Sequence, residues 1–205
     1  MFYKPSEGHG MTHEPFNAII APRPIGWISS IDPSGLPNLA PYSFFNAVAY
    51  RPPQVMFAAT SGHSFGGPKD SVRNTEATGE FVVNLCTWDL REQMNASCVP
   101  APSDVDEFEY AGLTKAVAQL VAPLYVAESP VHLECKTTQV TRLPSWDEKN
   151  PNTVVFGEVI GIHISDNVIK DGRVDTVGLQ PIGRLGYLDY VRVTDSFSLD
   201  RPSWP

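Results

Sequence analysis

Residues 66–74 read Gly-Gly-Pro-Lys-Asp-Ser-Val-Arg-Asn, a glycine-led entry into a helix. At a helix start the backbone N–H groups have no partner within the helix and the macrodipole is positive, so an anion is favoured there. Lys69 and Arg73 stand four residues apart, which puts both cations on one helix face, and Ser71 adds a hydroxyl. Together they could hold one phosphate. The same residues also suit a plain N-cap at Asp70 or Ser71 with two solvated cations.

A second segment, residues 38–46, reads Asn-Leu-Ala-Pro-Tyr-Ser-Phe-Phe-Asn. Three aromatics lie among small polar residues, and a proline interrupts any hydrogen-bonded ladder. Irregular backbone of this kind offers free N–H and C=O groups to a ligand edge, while aromatics cover an apolar body. A flavin ring system has that character. The other reading makes the aromatics core and leaves Asn38 and Ser43 in turns. His163 shares a strand face with Gly157 and Gly161, and glycines in a strand suggest close approach by a ligand or another backbone. A histidine at such a gap could contact a nicotinamide or donate a proton, or could be a structural hydrogen-bonder. His9, His13 and His63 lack a spaced acidic or cysteine partner, so no metal site is expected. GxGxxG after a strand, Walker A and GxSxG patterns are all missing, which removes support for a Rossmann cofactor fold, phosphoryl transfer and serine-hydrolase chemistry.

The elements that must position these groups are short. Residues 25–31 form a strand candidate ended by a turn at Asp32-Pro33-Ser34-Gly35. Residues 36–48 continue in extended or irregular form, and 54–59 read as the next strand. Residues 69–78 predict a short helix closed by Gly79 in a left-handed cap. A strand at 81–85 follows, then short helices at 90–96 and 106–111. Two long strands come later. Over 131–143 the odd positions Val131, Leu133 and Cys135 are apolar, with His132, Glu134 and Lys136 facing water. Over 154–165 the even positions Phe156, Ile160, Ile162 and Ile164 form the apolar face, interrupted by Glu158. Nineteen prolines and fifteen glycines punctuate the short apolar runs. With no internal repeat or linker, the pattern predicts one antiparallel barrel with helical insertions.

Bulk properties bound the function. At 205 residues, 42% hydrophobic and 19% charged, the chain can bury a sizeable core. The net charge of −8 supplies no basic stripe for nucleic acid, although a phosphate-bearing cofactor needs only two or three local donors. Cys86, Cys98 and Cys135 are odd in number and form no CxxC pair, the pattern of reduced thiols. No signal peptide and no membrane-length apolar run is visible, so the expected location is cytoplasmic, with no membrane partner.

Taken in order, the runs APRPIGWISSID, GLPNLAPYSFFNAVAYRPPQVMFAA and GPKDSVRNTEATGEFVVNL resemble the flavin-reductase-like family with the FMN-binding split barrel. MNAS, DEFEYAGLT, VAESPVHLEC, VVFGEVIGIHI, DGRVD and QPIGRLGYLDYVR continue the likeness, which spans residues 15–192. The resemblance implies a mainly β fold, a six-stranded antiparallel Greek-key split barrel with short helical insertions. Residues 1–205 would form a single FMN-binding domain with N- and C-terminal extensions. It implies a homodimer with FMN near the subunit interface, and hydride delivered to flavin N5 from NADH or NADPH. By similarity, Pro41, Tyr42, Ser43, Asn46 and Ala47 would line the ring, with Ser29 and Ser30 close by. Lys69, Asp70 and Ser71 would lie at the phosphate and ribityl end, helped by Arg23. His163 corresponds to a histidine near the nicotinamide and is the candidate catalytic residue, and Arg184 of the GRLG run would reach the site from the carboxyl-terminal region. Many relatives read RLGG where this chain has Arg184-Leu185-Gly186-Tyr187, an aromatic that could narrow access to the flavin. The implied activity is an NAD(P)H-dependent flavin reductase serving a partner monooxygenase. An electron carrier like the flavoredoxins is the alternative, and a barrel that has lost its cofactor is a third reading.

Overall fold

A computed structural model describes residues 1–149 and 151–204. In chain order the strands are β1 (Arg23–Pro24), β2 (Gly26–Ile31), β3 (Pro37–Tyr42), β4 (Phe45–Tyr50), β5 (Pro53–Ala59), β6 (Glu80–Leu85), β7 (Lys115–Ala116), β8 (Tyr125–Val126), β9 (Val131–Leu143), β10 (Asn152–Ile164), β11 (Ile169–Lys170), β12 (Arg173–Val174), β13 (Ile182–Arg184) and β14 (Tyr190–Arg192). The α-helices are α1 (Phe16–Ile19), α2 (Asp70–Thr78), α3 (Arg91–Ala96), α4 (Glu107–Tyr110) and α5 (Thr176–Leu179).

One antiparallel sheet in the order β3-β2-β6-β9-β10-β5-β4 carries the fold. It has seven strands where six were expected, because the 36–48 stretch divides into β3 and β4 on either side of Ser43 and Phe44. Those two strands are the opposite edges of the sheet, so the two-residue link brings the edges together and rolls the sheet into a barrel. The Ala58 N–H donates to Phe44 O at 2.8 Å, pinning the link to β5. A smaller sheet, β1-β13-β14, ties the carboxyl-terminal region to the strand that leads into β2.

Side-chain alternation along each strand creates two larger cores and a smaller cluster of Val82, Ala118 and Val121. Inside the barrel, Ile28, Phe57, Phe81, Val83, Cys135, Val155 and Val159 pack with Val72 of α2. On the outer face, Trp27, Leu39, Cys86, Met94, Phe108 and Val126 pack under α3, α4 and the flanking loops. Trp27, Phe57, Phe81 and Phe108 are fully buried, each worth roughly 1.5–3 kcal/mol of transfer free energy or more.

The face assigned to residues 154–165 from periodicity is reversed. Thr153, Val155, Gly157 and Val159 are the buried side of β10, while Phe156, Glu158 and Ile160 are only half-buried. Bulges interrupt the β9–β10 pairing between Phe156 and Gly157 and again between Val159 and Gly161, yet the odd positions of β10 remain the more buried side throughout. The expectation that His132 and Glu134 face water is also corrected. Both are buried beneath the 117–126 segment, where Gln119 N and Leu120 N donate to the Glu134 carboxylate at 2.9 and 2.6 Å.

Candidate functional site: a groove at the amino terminus of α2

The β3–β4 link and the start of α2 meet at one groove. One part, a cavity of about 170 Å³, is lined by Asn38, Pro41, Tyr42, His63, Lys69, Asp70, Ser71, Cys98 and Glu107. An adjoining cavity of about 210 Å³ shares Pro41, Tyr42 and Lys69 and adds Ser43, Phe44, Thr60 and Ser61. Six residues separated by up to thirty positions in sequence, Pro41, Tyr42, Ser43, Lys69, Asp70 and Ser71, are therefore neighbours in space.

α2 spans nine residues and ends at Gly79, whose φ of 73° and ψ of 15° give the left-handed cap read from sequence. Its amino terminus opens on the groove with Lys69 in the N-cap position and no side-chain cap. The leading amides therefore lack an intrahelical acceptor and carry the positive end of the dipole. Among the described residues Lys69 makes no ion pair, so its ammonium is available to a ligand. Arg73 behaves otherwise: it turns back to the Asp70 carboxylate instead of joining Lys69.

Asp70 is the hub of a buried polar cluster. Ser103 Oγ donates to its Oδ1 at 2.8 Å, and His63 Nε2 lies 3.1 Å from its Oδ2. Behind it, Asn38 Nδ2 donates to Ser71 Oγ at 3.0 Å and to Ser30 Oγ at 3.3 Å, and Asn74 Nδ2 donates to the same Ser30 oxygen at 3.2 Å. This network fixes the first turn of α2 against β2 and β3. Burial pushes the Tyr42 phenol up to about 12, with Asp70 and Glu107 reinforcing the shift and a hydrogen bond with Ser71 opposing it. Tyr42 is thus a neutral hydrogen-bonding group at physiological pH. The Glu107 carboxyl is pushed up to about 7 by burial, reinforced by Asp70 and Asp106 and opposed by the Leu39 N–H it accepts at 3.0 Å.

His63 and Glu107 line the groove, and neither was picked out from sequence. His63 had no acidic partner at a local spacing, and its partner Asp70 comes from the next turn of structure. Glu107 lies on a short helix whose N-cap, Asp106, accepts from Phe108 N at 2.9 Å.

The other assigned residues sit elsewhere in the chain. Ser29 and Ser30 are fully buried supports, with Asn84 Nδ2 donating to Ser29 Oγ at 3.2 Å. Asn46 and Ala47 lie on the exposed edge strand β4. Arg23 is a structural tie: its guanidinium donates to Asn17 O, to Ile20 O at 2.5 Å and to Leu185 O at 2.9 Å, and lies 5.7 Å from the Phe44 ring. Arg184 stacks on Tyr190 at 4.5 Å and donates to Tyr190 Oη and Tyr187 O.

His163 stands apart from the groove. Cross-strand partners run Pro41, Trp27, Asn84, His132, His163. Four strand spacings of ~4.8 Å put His163 ~19 Å from Pro41 along the sheet. Its Nε2 lies 2.6 Å from Glu134 Oε1, and its ring stacks near Tyr125 at 5.9 Å. The glycines on its strand make room for protein rather than ligand. A Cβ at Gly157 would come within 2.4 Å of the Phe81 ring, and one at Gly161 within 3.2 Å of Leu120. Burial pushes the Glu134 carboxyl up, but the Gln119 and Leu120 amides with His163 outweigh it and hold it below the ordinary range.

Residues 20–181 match the flavin reductase like domain, and the chain belongs to that family. An uncharacterized protein of Halalkalibacterium halodurans is 34% identical over 184 residues, covering 90% of this chain and 88% of the relative. Nitrilotriacetate monooxygenase component B from Bacillus cereus superposes with a TM-score of 0.89 at 28% identity, covering 97% of this chain and 98% of that one. The 2-nitrobenzoate 2-nitroreductase of Pseudomonas fluorescens superposes with a TM-score of 0.82 at 26% identity, covering 98% and 96%. The fold is therefore the flavin-reductase-like, FMN-binding split barrel. Among the described residues no helix is long and apolar enough to cross a membrane.

Proposed function

We propose that the protein is an FMN-dependent, NAD(P)H-consuming flavin reductase that passes reduced flavin to a partner monooxygenase in the cytoplasm. The observation that carries this reading is the convergence of the Pro41–Tyr42–Ser43 link, the free Lys69 and the amino terminus of α2 on one groove. The family match and the likeness to a monooxygenase component support it.

The groove suits a flavin phosphate in its donor set. Lys69 and the leading amides of α2 are donors, and the acidic groups beside them are masked. Asp70 is neutralised by Arg73, and the Glu107 carboxyl gives up its proton only near pH 7. Pro41, Tyr42 and Ser43 would present irregular backbone and a neutral phenol to the ring edge. When bound, the flavin supplies the redox chemistry, and the chain supplies position, hydrogen bonds and exclusion of water.

Asn46 and Ala47, Arg184 and His163 lie off the groove in one chain, and each adjoins exposed apolar side chains. Val48 and Tyr50 flank the first pair, Tyr187 and Leu188 follow Arg184, and Ile162 and Ile164 bracket His163. A homodimer that buries these patches would bring the assigned residues to the partner's flavin, with His163 beside the nicotinamide.

Purified protein titrated with FMN should change the flavin fluorescence saturably and stay yellow after free FMN is removed, and NADH or NADPH should then be oxidised. Lys69→Ala should weaken FMN binding about tenfold to a hundredfold, the worth of one charge-assisted hydrogen bond. Bleaching by dithionite but by neither nicotinamide would make the protein an electron carrier, and failure to bind FMN would sink the proposal.

A further inference from the structure

A second cleft runs along α3, between it and β14. Its volume is about 260 Å³, larger than the ~150 Å³ apolar cavity that suffices for benzene. Met94, Ile182 and Val191 form its apolar floor, and the rings of Trp88 and Tyr190 form its walls. No residue lines both this cleft and the Tyr42 groove.

The charge of the cleft departs from that of the chain. The protein carries −8, yet Arg91 and Arg192 both stand over the Trp88 ring, at 4.0 and 4.8 Å. Arg192 is held by one protein acceptor and Arg91 by a carbonyl together with an ion pair to Glu92. Arg91 Nη1 donates to Trp88 O at 2.8 Å, and Arg192 Nη2 donates to Gln180 Oε1 at 2.6 Å. Among the described residues Arg192 Nε is buried with no hydrogen-bond partner. Glu92, the acid on the rim, is three-quarters exposed and lies 3.3 Å from Arg91 Nε. A third arginine, Arg184, stacks behind Tyr190 at 4.5 Å and donates to its hydroxyl, which orients that wall.

Two guanidiniums held in place with donors to spare match a carboxylate, because their forked N–H groups fit its two oxygens. The aromatic and aliphatic walls match a planar apolar body. We propose that this cleft binds a small aromatic carboxylate, with Arg91 and Arg192 gripping the carboxylate and Trp88, Tyr190 and Met94 enclosing the ring. Rigid pre-placement by Trp88 O and Gln180 lowers the ordering cost on binding. The assignment is independent of flavin binding in the first groove.

Calorimetric titration of the full chain with benzoate tests it, with and without FMN present. Saturable binding of about one benzoate per chain is expected, with benzylamine not binding and acetate at least about tenfold weaker. Arg91→Gln and Arg192→Gln should each weaken benzoate at least about tenfold while thermal unfolding stays near that of the parent protein. Lys69→Ala should leave benzoate affinity unchanged. Should Arg192→Gln fail to fold, Arg91→Gln, whose side chain is more than a third exposed, decides the matter. Absence of saturable benzoate binding, equal binding of benzylamine, or benzoate affinity untouched by Arg91→Gln would each overturn the proposal.

Discussion

Glu107 shows how one buried carboxyl can govern a groove. Its folded pKa of about 7 lies above the ordinary glutamate value of 4.5, because burial disfavours the charged form more than the Leu39 amide favours it. Between those values the native state holds a proton that the unfolded chain has released. Stability contributed by the neutral form is therefore fully present below about pH 4.5 and lost as pH rises through about 7. The loss amounts to at most ~3 kcal/mol. Thermal unfolding followed from pH 5 to pH 8 should show the midpoint falling across this window, and Glu107→Gln should flatten the fall. An unchanged slope in the variant would mean that another group carries the dependence. His132 acts in the opposite sense, since burial holds its imidazole below the usual range and its protonation on acidification opposes folding.

At the scale of elements, the strands β6, β9 and β10 are matched by size as much as by hydrogen bonding. The fully buried Phe81 of β6 fills the space that a side chain at position 157 would take. Gly157→Ala should cost about 1–3 kcal/mol through overpacking, roughly 3–10 °C in Tm for a chain of this size. Differential scanning calorimetry reads this directly, and a midpoint equal to the parent's would show that the ring can move aside. Strand periodicity made this region legible as two long strands, yet it could not say which face was covered. Alternation separates two faces, but which of them meets protein depends on distant segments such as 117–126, whose amides bind Glu134. The turn at 32–35 and the helix at 69–78 were legible because their causes are local. Asp32 Oδ1 accepts from Ser34 N and Leu36 N at 2.8 and 2.9 Å, Gly35 takes φ 91°, and Gly79 closes α2.

For the whole molecule, the exposed apolar side chains beside Asn46, Arg184 and His163 mark the surface of the proposed homodimer. Light scattering should give a mass about twice the 22.5 kDa of one chain. Ile162→Asp should shift that mass toward a single chain and lower flavin reduction, while Lys69→Ala should leave the mass unchanged. A single-chain mass for the parent protein at micromolar concentration would remove the dimer from the proposal.

The sequence by itself determined the ordered motifs of the family, the short strands and the left-handed cap of α2. Those are set by residue types and local spacing. Tertiary structure alone decided that Arg73 serves Asp70, that His63 and Glu107 join the groove, and that Glu134 captures His163 some distance away. Each of these is a competition among charged groups for partners, and its outcome depends on which side chains the rolled sheet brings within hydrogen-bond reach.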